Sequence, residues 1–271
     1  MALTGGLVSY YKFDDASGNA SESTASANTL TNNGTVAYAA GKLNNAADFG
    51  TTNSTKSLTR NGYLVSDGAV SFSLWGKQQT EIGSGIQTFL QIGTQSTGFR
   101  LDYDYNAGSR RLSLVRLRNS LATVTTSYTI TLGTSSYYHL VGVYDLSTIT
   151  LYVNGASVST TAASLNGTTN WSPDLGHFSV GAIQDLNSGG FSQYASIFAD
   201  ELGIWNKGLT STEVTTLYNT GVVNPYPFNT AYSMMGGVGS FTLSGQSNNL
   251  FPFNITNTSK PTTAFTNLAK P

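Results

Sequence analysis

Carboxylate pairs are the first residues in this sequence whose spacing could support chemistry. Glycoside hydrolysis uses two carboxyl groups about 5–10 Å apart, one as a proton donor and one as a base or nucleophile. Asp102 and Asp104 are two residues apart, but no third acid extends the series, and we interpret them as solvated turn carboxylates beside a hairpin. Asp200 and Glu201 are adjacent, so on a regular strand they would point to opposite faces. Neither pair predicts an enzyme.

Other catalytic and binding classes are excluded by composition. The sequence has no Cys and two His, His139 and His177, which excludes disulfides, thiolate sites and a His-rich metal centre. It contains no nucleophile elbow, phosphate-binding loop or zinc-ligand spacing. The net charge of −1 gives no field that would attract nucleic acid, and no apolar run approaches the roughly 20 residues that span a bilayer. We therefore expect neither nucleic-acid binding nor membrane insertion.

A basic cluster is the next feature that could bind a ligand. It comprises Arg100, Arg110, Arg111, Arg116 and Arg118. Arg116 and Arg118 share strand parity with nearby leucines, so one face would mix apolar and basic side chains. Such a face suits an acidic glycan or an acidic partner surface. The alternative is that the arginines are exposed and cover apolar surface with their stems.

Strands dominate the elements that would position these residues. Only 10% of the chain is charged, and short polar residues that suit strands and turns supply the rest of its polarity. Residues 71–75 and 149–153 alternate apolar and polar side chains, and 140–144 reads as a continuous central strand. Asn154-Gly155 between two such runs predicts a tight hairpin. A second hairpin is predicted around residues 106–109.

One helix is well specified. Thr210 and Glu213 have the spacing of a capping box, with Leu209 and Val214 placed to form a hydrophobic staple. Gly221 is positioned to end the helix.

The composition changes after residue 221. Residues 222–271 carry two charges, Lys260 and Lys270, and contain isolated apolar segments. We therefore divide the chain into a β-sandwich domain, 1–221, and an extended low-charge arm, 222–271. The arm is either a flexible tail or a segment that orders against a partner or a neighbouring copy, and we favour assembly.

Three segments together resemble laminin-G-like jelly-roll domains of the concanavalin A-like lectin/glucanase superfamily. The first is GLVSYYKFDDASGN at 6–19 with AADFG at 46–50; the second is SFSLW at 71–75 with YHLVGVYD at 138–145 and LYVNG at 151–155; the third is ADELGIWNKGLT at 199–210. The resemblance covers roughly residues 5–221. It implies an all-β, two-sheet antiparallel jelly-roll sandwich with one short C-terminal helix. A weaker similarity of residues 239–246 is to tailed-phage structural proteins.

The resemblance also implies one structural calcium ion near the junction of the N- and C-terminal strands. It indicates Asp14 and Asp200 as the metal ligands, with Asp15 and Asn19 as helpers. Many relatives carry a further acid after the Ser-Gly turn, and Glu22 is the residue here that could replace it. The alternative is that the acidic residues of this turn make turn hydrogen bonds.

Sugar sites in such sandwiches combine an aromatic platform with amide and carboxylate groups. The resemblance makes Tyr103, Tyr105, Asn170 and Trp171 the candidates, beside Arg116 and Arg118 from the basic cluster. Trp171 lies in a polar loop, where a large ring is either an anchor for the loop or a stacking surface.

We therefore expect a non-catalytic surface module that serves adhesion or glycan binding. Its setting would be a virion or an extracellular assembly, since residues 1–6 lack the basic start of a signal peptide. One alternative is a purely structural subunit, such as a capsid decoration, head fibre or filament, which associates with itself or with other assembly proteins through 222–271. A glycoside hydrolase is a second alternative, disfavoured by the missing acidic strand.

Overall fold

The computed structural model describes residues 3–51, 54–62, 65, 68–94, 97–118, 121–163, 177–184, 190–228, 232–236, 239–244 and 254–256. By its internal contacts the chain divides into two compact units, Met1–Pro225 and Tyr226–Pro271.

The first unit consists almost entirely of strands. In chain order they are β1 Leu7–Tyr11, β2 Thr31–Asn33, β3 Ala37–Ala40, β4 Asn45–Asp48, β5 Ser57–Asn61, β6 Val70–Gln78, β7 Gly85–Gly93, β8 Gly98–Asn106, β9 Ser109–Arg118, β10 Leu121–Thr129, β11 Tyr138–Tyr144, β12 Thr148–Val153, β13 Ala156–Ala162, β14 His177–Val180, β15 Ile183–Gln184, β16 Phe191–Ser192 and β17 Ile197–Trp205. One helix, α1 Ser211–Tyr218, follows them.

Two antiparallel sheets form the sandwich. The back sheet has the order β13-β12-β11-β6-β17-β4-β3, with β1 also paired to β17. The front sheet has the order β10-β9-β8-β7-β14-β5-β2. Alternation along each strand sends one set of side chains into the interior, where Phe72, Phe89, Phe99 and Ile204 are buried. The predicted all-β jelly-roll sandwich is confirmed.

Both predicted hairpins are present, and the turn residues of the first have the predicted positive φ. Asn154 and Gly155 have φ of 49° and 78° between β12 and β13. Ala107 and Gly108 have φ of 50° and 82° between β8 and β9. Positive φ at both central positions gives a turn whose twist matches that of the flanking strands.

The capping box forms as predicted: the Thr210 hydroxyl accepts from the Glu213 N–H, and the Glu213 side chain accepts from the Thr210 N–H. Leu209 and Val214 are both buried. The helix ends earlier than predicted, because Asn219 adopts the left-handed C-cap conformation with φ of 44°. Asn tolerates this conformation better than most residues other than Gly, so Gly221 is not required to stop the helix.

The described residues of the second unit form three strands, β18 Tyr232–Gly236, β19 Gly239–Ser244 and β20 Asn254–Thr256. They form an antiparallel sheet of their own, in the order β18-β19-β20.

No helix in the described part of the chain is long and apolar enough to cross a bilayer.

Candidate functional site

The outer face of the front sheet carries a cluster of charged and polar side chains. Strand β8 sends Phe99, Leu101 and Tyr103 into the core. Arg100, Asp102 and Asp104 therefore point outward. The register adds Thr88 of β7 opposite Asp102, and Arg111 and Ser113 of β9 opposite Asp104 and Asp102. We call these six residues the front polar cluster: Thr88, Arg100, Asp102, Asp104, Arg111 and Ser113.

The two carboxylates of this cluster are held by cations on the same face. Arg100 Nη2 lies 3.0 Å from Asp102 Oδ2, and the Thr88 hydroxyl donates to Asp102 Oδ1 at 2.7 Å. Arg111 contacts Asp104 Oδ1 with Nη2 at 3.0 Å and Nε at 3.1 Å. Because both acids lie within a strand and are buried, the prediction that they are solvated turn carboxylates is wrong.

The two ion pairs differ in how far they are desolvated. Burial raises the pKa of Asp102, and the Arg100 guanidinium opposes that shift only in part. The second pair is more open, since the Arg111 side chain is 38% exposed. Ile86, paired with Asp104 in the register, is 42% exposed on the same face. An approaching ligand would therefore meet Arg111, Asp104 and an apolar side chain together.

Two of the predicted ligand-binding residues lie in the interior instead. Tyr103 is fully buried, and its hydroxyl accepts from the Leu132 N–H at 3.0 Å. The Arg116 guanidinium lies 4.2 Å from the Tyr144 ring centroid and donates to the Ala163 carbonyl at 2.9 Å. Strand parity with core leucines was the correct observation, but it places Arg116 inside the sandwich. Neither side chain offers a surface to a ligand in this structure.

The other predicted sugar ligands have varied positions. Tyr105 is half-buried at the end of β8, with the Arg110 guanidinium 5.3 Å from its ring centroid. Asn170 and Trp171 lie outside the described residues. Arg118 ends β9 and pairs with Leu121, and its side chain is outside the description.

An acidic cluster of Asp14, Asp200 and Glu201 lies on the outer face of the back sheet. The register of β17 shifts between Asp200 and Gly203, and Glu201 has a φ of 50°. This β-bulge breaks the alternation of side chains. Asp200 pairs with outward-facing Trp75, while the Glu201 carboxylate accepts from the hydroxyl of Tyr10, which also lies outside the core. The expectation that adjacent acids must point to opposite faces is wrong here.

The carboxylates of this cluster are only partly satisfied by hydrogen bonds. Asp200 Oδ2 accepts from the backbone N–H groups of Lys42 at 2.8 Å and Leu43 at 2.9 Å. Asp14 Oδ1 accepts from the Asn45 N–H at 3.0 Å. Asp200 Oδ1 and Glu201 Oε1 are buried and have no hydrogen-bond partner among the described residues. Two buried acceptor atoms therefore lack a donor.

Burial and mutual repulsion perturb both adjacent acids. Burial raises the pKa of Asp200 to about 8, and the neighbouring carboxylates of Glu201 and Asp14 contribute to the increase. Burial also raises the pKa of Glu201 to about 7, with a further contribution from Asp14. Negative charge in this cluster is unfavourable unless a proton or a cation accompanies it.

A calcium ion at this cluster would need six to eight oxygen ligands. Within the described ranges, no three acidic or histidine side chains converge closely enough to hold a metal by themselves. Calcium also accepts backbone carbonyl and water oxygens, however, and it needs oxygens without competing donors. Asp200 Oδ1 and Glu201 Oε1 meet that requirement. The acidic cluster therefore offers two unpartnered carboxylate oxygens, but no group of three such side chains among the described residues.

The three residues predicted to assist the metal ligands accept backbone hydrogen bonds, and Glu22 Oε2 has no hydrogen-bond partner among the described residues. Asp15 accepts from the Ser21 N–H through both carboxylate oxygens, at 3.2 and 3.1 Å. Asn19 Oδ1 accepts from the Asn32 N–H at 3.0 Å, and Glu22 Oε1 accepts from the Tyr10 N–H at 3.0 Å.

Sequence reasoning missed Glu201 as a member of the acidic cluster, because no sequence signal identified the bulge. It also missed the front polar cluster. The alternation of Arg100, Asp102 and Asp104 with three core residues was a readable signal for that face.

Comparisons with known proteins agree with this architecture. The family model described as the concanavalin A-like lectin/glucanases superfamily matches residues 48–215. No curated protein sequence matches the chain.

Solved structures provide two further similarities. Domain 4 of a GH43 extracellular arabinanase from Geobacillus stearothermophilus, in complex with arabinotriose, superposes with a TM-score of 0.56 at 22% identity, covering 78% of this chain and 98% of that one. A structure of botulinum neurotoxin type C has a TM-score of 0.61 at 10% identity, covering 92% of this chain and 64% of that one. Cell entry of that toxin depends on interaction with two ganglioside molecules. The chain thus spans less than two thirds of the neurotoxin structure. At these identities the similarity establishes the fold.

Proposed function

Because the chain belongs to the concanavalin A-like lectin/glucanases superfamily, we propose that it is a non-catalytic glycan-binding module, with the outer face of the front sheet as its binding surface. The observation that carries the proposal is the front polar cluster. Its donors and acceptors are fixed by register and ion pairing before any ligand arrives. Rigid polar groups beside an exposed apolar side chain are the usual means of orienting a small ligand.

The solved relatives support the class of ligand. The arabinanase domain was solved with an oligosaccharide, and the neurotoxin structure concerns gangliosides, which carry sugars. Both have the fold of this chain, and neither resemblance identifies its sugar.

Binding rather than hydrolysis is favoured by the state of the two carboxylates. The Asp102 side chain is 4% exposed, and both its oxygens already have partners, Thr88 and Arg100. A general acid must reach the glycosidic oxygen of its substrate. Asp102 has no free oxygen with which to do so, and Asp104 is occupied by Arg111.

A glycan array followed by calorimetry with the best oligosaccharide tests the proposal. Arg111→Ala should weaken binding by about tenfold or more, since a charge-assisted hydrogen bond is lost. Arg110→Ala is the matched control, because Arg110 pairs with Glu81 and lies over Tyr105 rather than in the front polar cluster. An array without hits at high protein concentration, or equal affinities for the two variants, would contradict the proposal.

Calcium binding is part of the same proposal. Asp14 and Asp200 would hold the ion, with Glu201 as a third carboxylate, and carbonyl and water oxygens would complete the shell. A bound divalent cation would neutralise the repulsion that raises the pKa values of Asp200 and Glu201. The role is structural, since the cluster fixes the turn at Lys42 and Leu43 to β17.

The setting we propose is a virion or another extracellular assembly, with residues 222–271 serving self-association or attachment to other components. Two features support this second role. The segment carries two charges in fifty residues, Lys260 and Lys270, and residues 226–271 form a separate compact unit with its own sheet. A purely structural subunit remains the competing function, and the absence of any glycan ligand in the array would favour it.

A further inference from the structure

The outer face of the back sheet carries two lysines held against aromatic rings. Phe198 of β17 pairs with Lys77 of β6, and Tyr137 directly precedes Tyr138, which pairs with Gly76. Tyr137, just before β11, therefore lies in one row with Lys77 of β6 and Phe198 of β17. Trp75 lies two residues from Lys77 on the same face. Lys42 reaches this face from the turn after β3.

Each ammonium group is positioned by cation–π contacts. Lys77 Nζ lies 5.0 Å from the Tyr137 ring centroid and 4.5 Å from that of Phe198. Lys42 Nζ lies 4.7 Å from the Trp75 ring centroid. Contacts of this length orient the side chains and leave the ammonium hydrogens free to donate. We call Lys42, Trp75, Lys77, Tyr137 and Phe198 the lysine–aromatic patch.

The patch has donors without matching acceptors. Among the described residues, neither Lys42 nor Lys77 forms an ion pair with a carboxylate. The Tyr137 hydroxyl is buried and has no hydrogen-bond partner in the described ranges. Burial raises the pKa of Tyr137 above its ordinary value, so the hydroxyl stays protonated and can donate.

The nearest carboxylates, Asp48 and Asp200, form no ion pair with either lysine among the described residues, although Asp200 Oδ1 has no hydrogen-bond partner there. Asp48 accepts from the Gly50 N–H and from the side chain of Gln79, at 2.8 and 2.7 Å. Asp200 Oδ2 is occupied by the backbone of the turn that carries Lys42.

We propose that the lysine–aromatic patch is a second ligand site, specific for the carboxylate of an acidic sugar. The two ammonium groups would bind the carboxylate, and the half-buried rings of Tyr137 and Phe198 would contact the C–H face of the sugar ring. The site is on the opposite sheet from the front polar cluster, and it relies on the proposed function only for the class of ligand. It gives the module a preference for acidic over neutral glycans.

The test uses the full chain and four defined probes. Calorimetry at low ionic strength would compare trigalacturonic acid with its methyl ester, and 3′-sialyllactose with lactose. Comparing the two acids shows whether the carboxylate that binds belongs to a uronic acid or to a sialic acid. At least one acid should bind, and its neutral counterpart should bind about tenfold more weakly or worse. Equal affinities for both members of each pair, or no binding of either acid at millimolar concentration, would overturn the proposal.

Variants then locate the site. Lys42→Met and Lys77→Met keep the aliphatic stem on the ring and remove the charge. Each should weaken binding of the acidic sugar about tenfold. Lys56→Met is the control, since Lys56 precedes β5 of the front sheet. Urea unfolding of all three variants verifies folding. Unchanged affinity in both patch variants overturns the patch. If only Arg111→Ala weakens binding of the acidic sugar, the ligand binds the front face. The patch proposal then fails while the proposed function stands.

Discussion

Arg116 and Tyr144 face each other across the interior of the sandwich, with the guanidinium carbon of Arg116 4.2 Å from the ring centroid of Tyr144. Arg116 belongs to the front sheet and Tyr144 to the back sheet. The contact therefore joins the two layers through a buried cation.

Truncation of this arginine should be costly. Arg116→Ala removes the ring contact and the hydrogen bond to the Ala163 carbonyl, and it leaves a cavity. We expect a loss of about 2–4 kcal/mol in the free energy of unfolding, measured by urea denaturation. Arg110→Ala removes an ion pair whose partner, Glu81, is 55% exposed, so it should cost about 1 kcal/mol or less. Equal losses for the two variants would show that the interior contact contributes no stability.

Calcium should stabilise the metal-free protein. The ion would bind carboxylates that otherwise repel one another, so the melting temperature should rise when calcium replaces a chelator. Asp200→Asn should remove most of that rise, because it removes a charged ligand. Asp15→Asn is the control, since within the described ranges the Asp15 carboxylate accepts from the Ser21 N–H and not from the acidic cluster. Identical melting temperatures in calcium and in chelator would rule out the calcium proposal.

His139 should make the fold sensitive to acid. Burial lowers its pKa to about 3, and its Nε2 is hydrogen-bonded to the Ser73 hydroxyl at 2.7 Å. The unfolded chain binds a proton near pH 6.5, while the folded chain does not, so stability falls as the pH drops below 6.5. The loss should reach about 2 kcal/mol at pH 5.

His139→Gln removes this titration, and unfolding at pH 7.5 and pH 5 measures it. Asp200 and Glu201 contribute a slope of opposite sign, because their raised pKa values lower the stability as the pH rises towards 8. The variant and the wild type share that slope, so it cancels in the difference between them. A variant with the same pH slope as the wild type would show that folding does not lower the pKa of His139.

The hairpin between β12 and β13 should be sensitive to a single methyl group. Gly155 has a φ of 78°, and a Cβ placed there would lie 2.8 Å from Tyr218 Cδ1 of α1. Gly108 has a similar φ of 82° with no atom within 4 Å of such a Cβ. Gly108→Ala should cost about 1 kcal/mol from backbone strain alone.

Gly155→Ala should cost about 1–3 kcal/mol more, because the turn must move away from the helix. Urea unfolding of both variants isolates the contact between hairpin and helix. Equal costs would mean that Tyr218 moves aside freely.

The sequence by itself determined the local elements. Asn and Gly adopt positive φ more readily than most residue types, so Asn154 and Gly155 were enough to predict the hairpin. Thr210 and Glu213 satisfy each other within four residues, so the start of the helix needs no distant contact. Alternating side chains predicted the strands for the same local reason, and two packed sheets are the simplest way to bury their apolar faces.

Tertiary structure alone decided which side chains meet, because register and bulges depend on packing between strands distant in sequence. A bulge in β17 puts Asp200 and Glu201 on one face. Extension of β8 to Asn106 places Asp102 and Asp104 beside arginines rather than in a solvated turn. The pairing of β6 with β11 and β17 brings Tyr137, just before β11, and Phe198 to Lys77. Each arrangement depends on long-range pairing, which no short sequence window encodes.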